Sequence, residues 1–213
     1  MNRFVWDLRY ESAHEVPGMS IQELRQGGPL AMPGNYEVKL TAGGKTVTTN
    51  LSVEPDPRVR AVMADFQQQF ELAIRIRDRV NEAHDTVNQM RALLAQVRDR
   101  RDRLNAAGLQ NDVEAAQHLE HSVTQVEADL IQLKSTTTEA SLVFPIMLDA
   151  KLAMLGNIVE SADTAPTQQA REAFVEIGNR LDASLAQWKA IQEKELAEFN
   201  DRLKKANLTP ARQ

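Results

Sequence analysis

The 213-residue chain has no cysteine, which excludes disulfides, thiolate metal sites and cysteine nucleophiles but does not fix a compartment. Aromatic residues make up only 5%, with Ala, Leu, Val and Ile supplying most of the apolar content. That balance suits slender helices packed along a seam rather than a thick mixed core. No apolar run approaches the roughly 20 residues that cross a bilayer, so no membrane span is expected. The opening residues hold no basic region followed by an apolar stretch, and no signal peptide is expected within the sequence. The net charge of -5 is mild and has the wrong sign for a phosphate-gripping surface, so nucleic acid is not an expected partner. There is no phosphate loop, nucleophile elbow, zinc-protease motif or Gly-rich dinucleotide turn. No catalytic residue, cofactor or metal is therefore expected.

Hydrophobic residues at 42% and charged residues at 26% are the balance of a chain that folds. Pattern divides it into a β-rich head over residues 1–56, a helical body over 57–206 and a flexible tail over 207–213. In the head, Phe4, Trp6 and Leu8 alternate with Val5, Asp7 and Arg9, the period-2 pattern of a half-buried strand. On that reading Trp6 is a core side chain rather than a carbohydrate platform. A second alternation places Tyr36, Val38 and Leu40 on one face. Gly43 and Gly44 supply positive φ for a tight hairpin, and Lys45 to Val53 returns with Val47, Leu51 and Val53 apolar. Between these, Pro and Gly punctuate a loop with room for one short strand near Met19 to Leu24. So few strands cannot close a sandwich, and the expectation is that upstream sequence completes the head.

Pro55-Asp56-Pro57 ends the strand and opens a helix. From Val59 to about Ala106 there is neither proline nor glycine. Phe66, Ala73, Val80, Val87 and Leu94 recur every seven residues; Val62, Ile76, Ala83, Met90, Val97 and Leu104 recur in the complementary register. Gln69 and Arg101 interrupt this seam, and Arg101 reads as the fraying distal tip. Gly108 is the expected left-handed cap. Val113, Ala116, Leu119, Val123, Val126, Leu130 and Leu133 then form the stripe of a returning helix that runs to about Lys134. Leu148, Leu152, Leu155 and Val159 line a shorter one. After the turn Ser161 to Thr167, the last helix carries Phe174, Ile177, Leu181, Leu185, Trp188, Ile191, Leu196, Phe199 and Leu203, with one register slip near Glu195. Short connections favour antiparallel neighbours. The expected fold is α+β, mainly α: a partial immunoglobulin-like β-sandwich followed by an elongated antiparallel bundle of three long helices and one short.

Few side chains invite chemistry. Glu114, His118 and His121 have a spacing that could present three metal ligands, but no second ligand pair of the bundle-metal type accompanies them, and exposed polar positions are the plain reading. His84, beside Ala83 and Val87, reads as a hydrogen-bonded interfacial histidine. The run Arg98 to Arg103 interleaves arginine with aspartate and reads as a self-paired surface rather than a phosphate site. Neighbouring carboxylates such as Glu193 and Glu195 do not face one another on a helix.

The order of the pieces carries a resemblance. Asn2 to Tyr10, Val16-Pro17-Gly18-Met19, Gly28 to Leu40 and Gly44-Lys45-Thr46 resemble the C-terminal immunoglobulin-like region of large bacterial sortilin-like or BNR-repeat "glycosyl hydrolases". Gln69-Phe70 through Arg79, Lys151 to Ala153, Ser161 to Thr167 and Leu181 to Leu185 are similar to that family's closing helices. Gly18 to Arg25 departs from the aromatic, Gly-rich stretch typical there. The resemblance implies an exported, periplasmic or extracellular parent with an N-terminal β-propeller, for which this chain would be a non-catalytic accessory module giving interdomain support or binding a protein partner. Two alternatives remain: a helical scaffold that self-associates, and part of a hydrolase whose active site lies in the propeller.

Overall fold

The computed structural model describes residues 3–19, 27–134, 137 and 142–212. The architecture is α+β and mainly α. A two-stranded antiparallel sheet joins β1 (Gly34–Ala42) to β2 (Lys45–Val53), and α1 (Met63–Ala106), α2 (Gln110–Leu130), α3 (Leu148–Val159) and α4 (Gln168–Ile191) follow. A π-helical turn, Gln192–Leu196, carries α4 directly into α5 (Ala197–Lys205).

The helix α1 is a rod of about 66 Å. Its start lies a few residues beyond the expected one, because Val62 is the N-cap: it has no oxygen to offer, while the Asp65 carboxylate accepts from the Val62 amide at 2.9 Å. Val62 is accordingly exposed, whereas the other heptad positions from Phe66 to Leu104 are buried. Leu72 and Leu93 are buried as well, which widens the apolar stripe beyond a two-position seam. The reason is that α1 has more than one neighbour. It packs against α3 over its first half, α2 over its second, and α4 as well. The helices α2 and α3 lie end to end, both antiparallel to α1, and α4 returns alongside. Arg171 on Gln68 near the start of α1, and Arg202 on Asp112 at the far tip, fix that direction.

The helix ends obey local chemistry. Gly108 has φ +72, and the Leu109 amide closes back on the Leu104 carbonyl at 3.0 Å, a Schellman-type stop. Thr167 Oγ1 accepts from the Ala170 amide at 3.1 Å and caps α4. The slip near Glu195 is the π turn. Its wider step carries the buried stripe from Ile191 to Leu196, so that Leu196, Phe199 and Leu203 stay in the core. The helix α2 ends at Leu130, earlier than its stripe suggests, and Leu133 is exposed. Ile131, extended and fully buried, takes over the packing.

Three expectations are corrected. Phe4, Trp6 and Leu8 do not form a strand; only a single bridge joins Arg9 to Leu30. Asp7 accepts from the Arg9 amide at 3.0 Å, Leu8 takes φ +62, and the alternation is broken. Phe4 is 88% exposed, and Trp6 is half-buried edge-on to Tyr36, its ring centroid 5.2 Å away. Gln69 and Arg101 do not interrupt packing: Gln69 donates to the Val159 and Ala162 carbonyls, and Arg101 pairs with Glu120 at 2.9 Å. Residues 208–212 are not a free tail. Asn200 and Gln96 each donate to and accept from the backbone, at Ala211 and Arg212 respectively, and Ala211 is buried. The sandwich is not formed among the described residues, and most of the strand expected near Met19 to Leu24 lies outside them.

Candidate functional surface

The hairpin carries apolar side chains that remain open to water. Its nine-residue strands pair from Gly34 with Val53 to Ala42 with Lys45, and Gly43 and Gly44, at φ +55 and +74, make the primed turn that suits strand twist. Directly opposed residues share a face. One face therefore carries Tyr36, Val38, Leu40, Val47, Leu51 and Val53, with Thr49 opposite Val38 and Lys45 at the turn, and the other Asn35, Glu37, Lys39, Thr41, Thr46, Thr48, Asn50 and Ser52. An apolar face of this kind normally lies on a core. Here Leu40 and Val47 are each 66% exposed, and Val38 and Leu51 about as open as many polar side chains. Only the base is covered: the Tyr36 hydroxyl donates to the Met32 carbonyl at 2.7 Å, and Trp6 leans on its ring. Burial, helped by Tyr10, pushes the Tyr36 phenol above its ordinary pKa.

A clasp holds the head to the body. Glu160, just past α3, accepts from the Arg9 guanidinium at 2.9 Å and from the Leu30 amide at 2.6 Å, while Arg9 also donates to the Gly28 carbonyl. A Cβ on Gly28 would run into the Tyr10 and Glu11 carbonyls, so that position has room only for glycine.

Beyond the clasp, residues 11–17 lie along α1 and are gripped through their main chain. Arg77, Asn81, His84, Asn88 and Arg91, spaced alternately four and three apart, bond to the backbone of Glu11, His14, His14, Glu15 and Pro17 in turn. Arg91 is itself set by Glu127 at 2.7 Å, and the His14 ring faces Asp85 at 2.8 Å. This polar row was not singled out from sequence, although its helical spacing beside the seam was the available signal. His84 is more deeply placed than its seam position suggests. The His14 carbonyl can only accept, so His84 Nδ1 carries a hydrogen, and Nε2 faces Asp149 Oδ2 at 3.6 Å with both side chains almost fully buried. Neither of those two facing atoms has a hydrogen-bond partner.

The histidines of α2 do not come together as ligands. Among the described residues no group of three His, Asp or Glu side chains could hold a metal. His118 instead lies 3.3 Å from Glu195 of the π turn, at the mouth of a groove floored by Leu119 and Phe199. The arginine run at the tip is paired as expected, Arg100 and Arg103 with Asp99, and it also reaches across to Glu120 through Arg98 and Arg101.

Among the described residues no helix is long and apolar enough to cross a membrane. No protein-family model matches the chain, and no curated protein or solved structure matches it.

Proposed function

We propose that this chain is a non-catalytic protein-interaction module, in which the helical body is a stiff support and the β1–β2 hairpin docks to another polypeptide layer. The observation that supports it most is the bare apolar face of the hairpin, with Leu40 and Val47 open to water at the far end of a ribbon whose base is anchored. A lone two-stranded ribbon is marginal in water, and contiguous exposed apolar patches on soluble proteins mark interaction sites. The non-catalytic part of the reading rests on the sequence, which carries no catalytic motif. On the resemblance, the docked layer belongs to an exported β-propeller protein of which this chain is the C-terminal accessory module.

A photo-cross-linking residue in place of Val47, with the same residue at Gln117 on exposed α2 as control, tests the docking role in the producing cells. Cross-linking to a polypeptide from Val47 alone is the expected result, and equal behaviour at both positions would overturn it. The mass of the native species, detected with an antibody to the helical body, tests the tail reading. A denatured species several times larger than 23.8 kDa is expected of a propeller protein's C-terminal part.

A second reading, self-association, is favoured by one observation: from Thr46 to Val53 the outer strand β2 has no charge, proline or glycine.

A further inference from the structure

We propose that β2 is the edge through which two copies of this chain pair, strand against strand, about a two-fold axis at Thr49. The inference rests on the reading of the hairpin as the docking element, and it sets a second copy of this chain, in place of a propeller layer, at the β2 edge. Its first support is hydrogen-bond phase. The closing pair of a two-residue hairpin, Ala42 with Lys45, is a bonded pair, and bonding alternates from there. Val47, Thr49 and Leu51 thus spend their amides and carbonyls on β1, while Thr46, Thr48, Asn50 and Ser52 point theirs outward. Among the described residues no strand meets them.

The two edges of the ribbon are not equivalent. On β1 the outward positions include Glu37 and Lys39, charges of the kind that keep an edge from accepting a strand. On β2 no such guard stands between Thr46 and Val53.

The sequence of β2 is also complementary to itself. Only one antiparallel register overlaps the whole strand with its copy, and it sets Thr49 against Thr49, Thr48 against Asn50, Val47 against Leu51 and Thr46 against Ser52. Outward-pointing groups then meet outward-pointing groups, which is what a ladder requires. On the same register apolar Val47 opposes apolar Leu51, and polar residues oppose polar ones on the other face. A slip of one residue breaks both matches together. The product is a four-stranded sheet, β1–β2–β2–β1, whose apolar positions lie on one face to either side of the central Thr49 pair, in place of two marginal ribbons.

The absence of cysteine makes the test direct. At the axis the two Thr49 positions form a non-bonded pair, with Cα atoms about 4.5 Å apart, within the span of a disulfide. Thr49→Cys is expected to give a disulfide-linked dimer on mild oxidation. Val47→Cys and Leu51→Cys should cross-link poorly alone and readily when mixed. In sedimentation the unmodified chain should be a concentration-dependent dimer, and Thr48→Pro should weaken that dimer at least tenfold while leaving the melting curve of the diluted monomer in place, since the Thr48 amide is not used by β1. Thr49→Cys cross-linking no faster than Val47→Cys, or a dimer that survives Thr48→Pro, would overturn the inference. A monomer at every concentration whose Val47 position cross-links to a different protein would overturn it while leaving the docking reading intact; a monomer with no Val47 cross-link would sink both.

Discussion

Arg9 and Glu160, 151 residues apart, meet at 2.9 Å with most of both side chains out of water. The same carboxylate takes the Leu30 amide, so one side chain locks two passes of the head's irregular chain to the end of α3. Glu160→Ala leaves the Leu30 amide without its acceptor and the Arg9 guanidinium with the Gly28 carbonyl alone, at a cost of about 2 kcal/mol. Proteolysis should then begin in residues 27–33 well before the helices open. Unchanged cleavage there would mean that the head is held by something else.

His84 and Asp149 carry a coupled prediction. Removing either alone strands the other in the core, so His84→Leu or Asp149→Leu should each lower stability by about 3 kcal/mol. The double substitution should cost clearly less than the two together, measured by urea unfolding. Simple additivity would show that the 3.6 Å approach of the two groups is not an interaction.

A one-residue deletion separates the π turn from the helix around it. Deleting Glu193 converts the wide turn to an ordinary α turn and leaves Ile191, Leu196, Phe199 and Leu203 on one stripe, so the melting temperature should change little. Deleting Lys189, within regular α4, shifts the phase ahead of the turn and should be clearly worse. Equal damage from both deletions would mean that the π geometry, and not merely the register it restores, is required.

Tyr36 sets an alkaline limit on the hairpin's base. Its pKa is raised in the fold, chiefly by burial and then by Tyr10, so the fold favours the neutral phenol that donates to Met32. That contribution is complete below the unfolded value near 10 and is lost as pH climbs through the raised value. Tyr36→Phe should cost about 1 kcal/mol at neutral pH and flatten the alkaline fall in stability. An identical alkaline profile in the variant would remove Tyr36 as its source.

The hairpin surface was half legible. The amphipathic alternation of β1 and β2 and the Gly43-Gly44 turn are local facts, and the register followed from them. Which neighbour would cover the apolar face is a long-range matter that no local pattern contains. The same limit explains Trp6. Alternation over Phe4, Trp6 and Leu8 describes any extended segment, and whether it pairs depends on what lies beside it. Asp7 and the bridge to Leu30 decided against a strand.

The sequence by itself determined the helical body, its stop at Gly108 and the place of its register slip, because heptad spacing, the Gly108 turn and the five-residue step to Leu196 act within a few turns of chain. It also determined the hairpin, through turn chemistry. Only the tertiary structure decided the roles of Gln69, His84, Arg101 and the closing residues 208–212. The first three are polar, and a polar group beside a seam reads as a gap until its partner is known; residues 208–212 are held through their main chain. Those partners arrive from elsewhere in the chain, at Val159, His14, Glu120 and, for the closing residues, Gln96, once the helices have packed.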